Sequence, residues 1–157
     1  FYPLAYYAAF FSIRASAFSY ELMCLGREKL EFHLADYKRR SDSLSKKEQD
    51  SLRDMRVVQE MYARGFDFLP IDIYKAKARH FQIIGDKLMP SLSSIDGLGE
   101  KAADSIEEAA KDGKFLSKED FRNRTKVSKT ICDLMAELGI LGDLPETNQL
   151  SLFDFAI

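Results

Sequence analysis

One stretch in the second half of the chain, residues 92–106 (LSSIDGLGEKAADSI), constrains the fold more than any other. Two glycines, Gly97 and Gly99, flank a single apolar residue, and Leu92 and Ile95 supply apolar side chains before them. Glycine adopts positive φ at little cost and has no Cβ to obstruct a close backbone approach, so we expect both positions to need it. An alanine four positions after the second glycine lies on the same helix face as that glycine. The stretch therefore predicts a tight turn that leads directly into a helix.

This turn, formed by Gly97, Leu98 and Gly99, is called the glycine hairpin below. With its flanking apolar residues it resembles the helix-hairpin-helix family. In that family the second helix begins with amide N–H groups that have no partner within the helix and that point at a phosphate. The resemblance implies DNA contacts at the glycine hairpin and at the next two residues, Glu100 and Lys101. The alternative is a plain glycine-rich turn between two packed helices.

Helical periodicity dominates the residues before the glycine hairpin. A helix that is apolar nearly all round is predicted to begin at Pro3, and a charged amphipathic helix is predicted over residues 27–40. An S-x-x-E capping box that begins at Ser45 starts a further helix, which Gly65 ends. Residues 81–89 then predict a β-hairpin around a Gly-Asp-Lys turn. The predicted fold class is mainly α with a small β-hairpin, in which a helical N-terminal part precedes a helix-hairpin-helix domain.

Two expectations concern the faces of these elements. The helix after Ser45 is predicted to pack through one side, formed by Leu52, Met55, Gln59 and Tyr62. Basic residues alternate at Lys75, Lys77 and Arg79, which predicts an edge strand with one basic face. That face is either solvated or in contact with phosphate.

The region after the glycine hairpin carries a local surplus of positive charge. One helix is predicted to run from Gly99 to about Asp112, a short one is capped by Ser117, and the last begins at Ser128. Residues 111–130 contain seven basic and three acidic side chains, and no Lys or Arg follows them. Such a surplus favours phosphate contacts that are independent of sequence and sensitive to salt. The candidate DNA-binding side chains here are Lys114, Lys118, Arg122, Arg124, Lys126 and Lys129.

Composition limits the other classes of function. The chain has 157 residues, a net charge of −2 and 46% apolar residues, so nucleic-acid binding has to come from a local patch. Its two cysteines, Cys24 and Cys132, form no C-x-x-C pair, which favours a reduced, cytoplasmic setting without a disulfide or zinc site. The apolar run at residues 4–13 is too short to span a membrane. Acidic side chains have basic neighbours, as on solvated helix faces, so no catalytic residue, metal ligand or cofactor is assigned.

Residues 144–157 are predicted to form a separate tail. Pro145 ends regular structure, a polar spacer follows, and five large apolar side chains crowd the last eight positions. A tail this apolar either folds back on its own domain or docks as a peptide in the pockets of a partner.

The order of these parts resembles the C-terminal region of the bacterial replicative DNA polymerase III alpha subunits, and most of all their PolC type. The resemblance covers nearly the whole chain, and the start at Phe1 reads as the middle of a domain, so we expect a fragment. The residues that carry the match are Gly65-Phe66, Leu69 to Asp72, Phe81 to Ile83, Ser94 to Gly99, Gly113 to Phe121, Val127 to Thr130 and Gln149 to Phe153.

The resemblance implies a division of labour along the chain. Residues 1–68 would end the polymerase fingers, and residues 69–91 would form a β-hairpin connector at the start of the duplex-binding domain. Residues 92–143 would form the helix-hairpin-helix segment that grips primer-template duplex DNA, and residues 144–157 would dock on the sliding clamp. The clamp-binding residues that it implies are Gln149, Leu150, Leu152, Phe153 and Phe155.

The resemblance also implies that the polymerase active site lies in another part of a longer parent protein. The parent would be a DNA-directed DNA polymerase whose palm carboxylates hold Mg²⁺ for phosphoryl transfer, and the rest of that polypeptide would be a partner of this piece. The piece itself would bind DNA and the clamp without catalysing a reaction.

Two other functions stay open from the residues alone. A base-excision glycosylase of the helix-hairpin-helix class needs a catalytic Asp shortly after the hairpin, and the available candidate, Asp143 after Gly142, lies far downstream. A protein-interaction module needs no basic surface, so the basic surplus argues against it without excluding it.

Overall fold

Helices make up most of the chain, as the periodicity predicts. The computed structural model describes residues 2–15 and 17–147. The α-helices of these ranges are α1 (Pro3–Ala9), α2 (Tyr20–Met23), α3 (Arg27–Arg39), α4 (Lys46–Ala63), α5 (Glu100–Ala110), α6 (Lys118–Thr125) and α7 (Lys129–Glu137). A π-helical turn (Phe10–Arg14) extends α1, and 3-10 turns occupy Ser41–Ser43 and Leu92–Ser94.

The two strands, β1 (Gln82–Ile84) and β2 (Lys87–Met89), form the predicted β-hairpin. They are antiparallel, with Ile83 opposite Leu88. Gly85 supplies the positive φ of the connecting turn, +64°, which glycine adopts without strain. Together with the helices, this hairpin confirms the predicted fold class.

Helix α1 is apolar as predicted but only partly buried. Pro3 lies at the start of the helix, where its missing N–H is tolerated, and Leu4 and Tyr7 are fully covered. Tyr6 is 50% exposed and Ile13 in the following turn is 79% exposed, so the prediction of a helix buried all round is wrong on that side. The reason is that the core which α1 contacts lies along one side of the helix.

An aromatic cluster forms that core and joins the first helix to the β-hairpin. The ring centroids of Phe11 and Phe18 are 5.0 Å apart, and Phe18 meets Phe81 edge to face at 4.9 Å. Phe68 contacts the same three rings at 5.9, 6.0 and 6.4 Å. Since these rings come from separate stretches of sequence, the cluster unites the helical part and the β-hairpin in one core.

Serine side chains begin four of the described helices. Ser19, Ser45, Ser117 and Ser128 each accept a hydrogen bond from the amide three residues later, at 2.9 to 3.3 Å. At Ser45 the Glu48 carboxylate also accepts from the Ser45 amide at 3.1 Å, which completes the predicted capping box. The sequence patterns thus place the starts of α4, α6 and α7 correctly.

Helix α4 packs through a face that differs from the predicted one. Met55 and Tyr62 are buried as predicted, whereas Gln59 is exposed and Leu52 is only half-buried. The buried face also contains Ser51, Asp54, Val58 and Met61. The two polar members are covered because they bind the backbone of Ala17: the Ser51 hydroxyl donates to its carbonyl and the Asp54 carboxylate accepts from its amide, both at 3.0 Å.

Residues 75–79 form a turn and a loop, so the predicted edge strand is wrong. Burial does alternate there, with Ala76 and Ala78 covered and the basic side chains exposed. The carbonyls of two of these residues accept hydrogen bonds from the amides of Leu92 and Ser93, at 2.9 and 3.0 Å. The loop therefore pairs with the first turn of the helix-hairpin-helix segment and not with a strand.

Candidate nucleic-acid interface

The two glycines of the glycine hairpin have different structural roles. Gly97 has a φ of +82°, and a Cβ there would lie 3.0 Å from Ile131 Cδ1. Gly99 has a φ of −72° and a ψ of 165°, and a Cβ there would meet nothing within 4 Å. The expectation that both positions need glycine is therefore correct for Gly97, while the fold itself does not require glycine at position 99.

Buried apolar side chains anchor the glycine hairpin in the core. Leu98 is buried, and its amide donates to the Ile95 carbonyl at 3.1 Å. Ile95 and Leu92 are buried with it, so the apolar side of the turn is anchored in the core. The first helix of the predicted motif is reduced here to the 3-10 turn Leu92–Ser94, and the second helix is the full α5.

Helix α5 presents an uncapped N-terminus at the glycine hairpin. Gly99 is the N-cap residue and has no side chain that could accept a hydrogen bond. The first backbone bond within the helix runs from the Ala103 amide to the Gly99 carbonyl at 2.9 Å, and the amides of Glu100, Lys101 and Ala102 have no acceptor among the described residues. Unpaired amides at a helix N-terminus carry partial positive charge, so they suit a phosphate oxygen.

Arg79 neutralises acidic side chains beside this N-terminus. Its guanidinium lies 2.7 Å from the Asp104 carboxylate and 3.5 Å from that of Glu100. The Glu100 side chain, which would otherwise repel a phosphate at its own amide, is therefore paired. Lys101 follows it on the exposed first turn and forms no ion pair within the described ranges.

Three carboxylates border the glycine hairpin where α2 and α7 come close to it. Burial raises the pKa of Glu21, and the charges of Asp96 and Glu137 raise it further. Asp96 directly precedes Gly97 and accepts a hydrogen bond from Ser19 Oγ at 2.7 Å. This negative charge disfavours a phosphate near Asp96, so the start of α5 is the favourable position for an anion.

An open cleft of about 920 Å³ separates the glycine hairpin from the helical part of the chain. Residues 95–100 line one side of it. Phe18, Ser19 and the first turn of α4, with Lys47 and Glu48, line the other. The cleft leaves the exposed turn accessible from this direction.

Arg124 is bound by the protein's own backbone. Its Nη2 donates to the carbonyls of Ala109 and Gly113 at 2.7 and 3.0 Å, and its Nη1 donates to that of Lys114 at 3.1 Å. The guanidinium also lies 4.4 Å from the centroid of the Phe115 ring. Because these carbonyls lie in the last turn of α5 or just after it, Arg124 caps the negative end of that helix.

Lys118 and Lys129 form ion pairs. The Lys118 ammonium is 3.0 Å from the Glu146 carboxylate, and the Lys118 amide donates to the Pro145 carbonyl at 2.8 Å. Lys118 thus fastens the segment after α7 to the start of α6. Lys129 lies 3.4 Å from Asp133 in an exposed pair on one helix, which is weak and open to exchange with a phosphate.

The remaining predicted cations do not form one cluster around the glycine hairpin. Lys101, Lys114, Arg122 and Lys126 make no ion pair within the described ranges, and all but Arg122 are exposed. Lys101 lies in the first turn of α5, and Lys114 follows the end of that helix. At 1.5 Å per residue the helix from Lys101 to Ala110 spans roughly 14 Å, so the two ends of α5 would meet different phosphates.

The remaining predicted residues lie in the tail and in the turn that precedes it. The clamp-binding set Gln149, Leu150, Leu152, Phe153 and Phe155 lies outside the described residues. Asp143, on which the glycosylase alternative depends, lies in an exposed turn after α7 without a partner among the described side chains.

Sequence reasoning missed Ser19 at this site, and it placed Arg79 on a basic strand face without predicting its acidic partners. The partner of Ser19 is 77 positions away, and no local pattern signals such a contact. The pairing of Arg79 had a partial signal, since Glu100 and Asp104 are four residues apart and lie on one helix face.

Neither a metal-binding cluster nor a helix that could cross a membrane is present among the described residues. Residues 2–15 and 17–147 contain no group of three or more His, Cys, Asp or Glu that could hold a metal ion, so they do not fit the Mg²⁺ site of a polymerase palm. Cys24 and Cys132 are buried, and burial raises the pKa of both thiols. None of the described helices has the length and apolar character needed to cross a membrane.

Comparison with known proteins identifies the family. Residues 65–150 match the helix-hairpin-helix motif. The chain is 40% identical over 153 residues to DNA polymerase III PolC-type of Caldanaerobacter subterraneus subsp. tengcongensis, an alignment that covers 98% of this chain and 11% of the relative. It is 44% identical over 154 residues to DNA polymerase III PolC-type of Streptococcus pyogenes serotype M1, with 97% and 10% covered. The chain thus spans about a tenth of the length of these curated relatives. It belongs to the helix-hairpin-helix family and is similar, over nearly its whole length, to one segment of the PolC-type DNA polymerase III.

Proposed function

We propose that this chain grips duplex DNA at the glycine hairpin, as a non-catalytic part of a PolC-type DNA polymerase. The observation that carries the proposal is the exposed, uncapped N-terminus of α5 after Gly99. The amides of Glu100 and Lys101 offer hydrogen bonds to one phosphate, and the Lys101 ammonium adds a positive charge. The open space at Gly99 lets a sugar-phosphate backbone approach this turn closely.

The wider contact surface consists of separate basic side chains. It includes Lys114, Arg122 and Lys126, together with Lys129 once its exposed pair with Asp133 exchanges. Arg124 and Lys118 are left out of it, because their charged groups are bound within the protein. Since every contact in this set is to phosphate, the grip is independent of base sequence.

The tail supplies the second proposed contact, a sliding clamp. The support is the sequence pattern of Gln149, Leu150, Leu152, Phe153 and Phe155, together with the similarity to PolC-type polymerases. Gln149 would hydrogen-bond at the mouth of a clamp pocket, and Leu152 and Phe153 would fill that pocket. A clamp bound to the same duplex raises the local DNA concentration, so two weak contacts reinforce each other.

The place of this piece in the cell follows from the same proposal. Other segments of the polymerase would carry the palm carboxylates and Mg²⁺, and the rest of that polypeptide would be its direct partner. The setting would be the bacterial cytoplasm, at the replication machinery.

Fluorescence anisotropy with a labelled primer-template duplex tests the DNA contact. Lys101→Glu is compared with Lys29→Glu, which reverses the charge of an exposed lysine in the first turn of α3. We expect Lys101→Glu to weaken binding and to lower the slope of log affinity against log salt by about 0.9 for each phosphate that is no longer neutralised, while Lys29→Glu leaves the slope unchanged. Equal effects of the two substitutions would remove the support for a phosphate at α5.

A further inference from the structure

One hydrogen bond joins the helical part of the chain directly to the residue before the glycine hairpin. Ser19 Oγ donates to Asp96 Oδ2 at 2.7 Å, across 77 positions of sequence. Ser19 is 4% exposed and Asp96 is half-buried, so the serine end of this hydrogen bond is shielded from water while the carboxylate borders the cleft. A hydrogen bond to a carboxylate is stronger than one between neutral groups. Because Asp96 adjoins Gly97, this bond fixes the entry to the turn.

Ser19 is itself firmly held. Its hydroxyl accepts from the Leu22 amide at 3.3 Å, as the N-cap of α2. Two residues earlier, Ala17 is held on both its polar groups by α4, through Ser51 and Asp54 at 3.0 Å each. The donor to Asp96 is therefore a fixed point of the helical part and not a loose loop side chain.

The negative charge of Asp96 argues that its role is geometric. Its carboxylate lines the same cleft as the start of α5, where a phosphate is proposed to bind. Glu21 and Glu137 add to the negative field at this position. The Asp96 carboxylate opposes DNA binding electrostatically. If Asp96 favours DNA binding, it does so by holding the glycine hairpin in place.

We propose that Ser19 and Asp96 are positioning residues that fix the orientation of the glycine hairpin against the helical part. Gly97 has the backbone freedom of glycine, and rotation there would swing the first amides of α5 away from a bound phosphate. The hydrogen bond at the preceding residue removes that freedom before DNA arrives, which is preorganisation. The restraint on the glycine hairpin follows from the hydrogen bond between Ser19 and Asp96. Its consequence for DNA affinity rests on the proposed function.

The test uses three variants of the 157-residue chain, Ser19→Ala, Asp96→Ala and Asp96→Asn. Ser43→Ala is the matched control, because Ser43 is an exposed serine whose hydroxyl bonds only a neighbouring carbonyl in a 3-10 turn. Two quantities are measured for each variant: the affinity for a primer-template duplex, and the hydrogen-exchange rate of the Leu98 amide in the free protein.

We expect Ser19→Ala and Asp96→Ala each to speed exchange at Leu98 and to weaken duplex binding by about tenfold, the change expected when one hydrogen bond of ordinary net strength is removed. Asp96→Asn keeps an acceptor oxygen but forms a weaker, neutral hydrogen bond, so its Leu98 amide should exchange more slowly than that of Asp96→Ala. In Leu98 exchange, the two alanine substitutions together should be no worse than Ser19→Ala alone, because both remove the bond to Asp96 and only Ser19→Ala also removes the N-cap bond to Leu22. If the charge of Asp96 were its only effect, Asp96→Ala would bind the duplex more tightly, which is the opposite change in affinity.

The outcomes separate this proposal from the proposed function. Unchanged exchange at Leu98 in both alanine variants overturns the positioning role, and so does tighter duplex binding by Asp96→Ala. If the unchanged protein binds no duplex, the proposed function fails and the exchange measurement alone decides the positioning role. Faster exchange in Ser19→Ala and Asp96→Ala than in Ser43→Ala and Asp96→Asn then supports it.

Discussion

A methyl group added at Gly97 should destabilise the protein, whereas the same group at Gly99 should have little effect. At Gly97 the φ of +82° is unfavourable for any residue with a Cβ, and a Cβ would also lie 3.0 Å from Ile131 Cδ1. A left-handed conformation costs a non-glycine residue about 1–2 kcal/mol, so Gly97→Ala should destabilise the protein by at least that amount, and the close contact with Ile131 adds a steric part. For a chain of this size that destabilisation lowers Tm by about 2–8 °C.

Gly99→Ala is the matched control for this prediction. The φ of −72° at Gly99 suits alanine, and the space around it is open. The poorer N-cap preference of alanine should reduce the free energy of unfolding by only about 0.5 kcal/mol. Adding Ile131→Val to Gly97→Ala removes Cδ1, so it should recover the steric part of the destabilisation and leave the backbone part.

Urea unfolding followed by circular dichroism gives the free energy of unfolding for each variant. Equal destabilisation by Gly97→Ala and Gly99→Ala would refute the assignment of different roles to the two glycines. A larger destabilisation at Gly99 would mean that the turn has a different conformation from the one described.

Three further predictions concern other parts of the chain. Arg124→Ala should reduce the free energy of unfolding by about 2–3 kcal/mol, because it removes three hydrogen bonds to backbone carbonyls, the ion pair with Asp120 and the ring stacking. The salt slope of duplex binding should stay unchanged, and a lower slope would restore Arg124 as a DNA contact. Burial raises the pKa of Asp54, so the free energy of unfolding should fall as pH rises from the ordinary carboxyl pKa of about 4 to the raised value. Asp54→Asn should flatten that part of the pH profile, and an identical profile would contradict the buried charge. Removal of residues 149–157 should abolish sliding-clamp binding in surface plasmon resonance and leave duplex affinity unaltered, whereas retained clamp binding would disprove the tail assignment.

Local patterns could be predicted from sequence because their causes lie within a few residues. The capping box at Ser45 uses groups three residues apart. The turn at Gly85 and the positive φ at Gly97 follow from the conformational freedom of glycine between apolar residues. Each feature would form in much the same way in another protein, so the sequence alone sufficed.

Long-range polar contacts could not be predicted in this way. The buried face of α4 is displaced from Leu52 toward Ser51 and Asp54, because these two side chains bind the backbone of Ala17. Arg124 stands in a basic stretch that predicts DNA contact, yet its guanidinium reaches a carbonyl 15 positions earlier. Hydrophobic periodicity and charge counts carry no information about which distant backbone groups need a partner.

Backbone amide signals of the chain, followed by NMR during titration with a primer-template duplex, test most directly whether the start of α5 contacts phosphate. We expect the largest chemical-shift changes at Gly99, Glu100 and Lys101, and we expect added salt to reverse them. If these amides do not shift when the duplex is saturating, or if the largest changes lie on α3, the glycine hairpin is not the DNA contact of this protein.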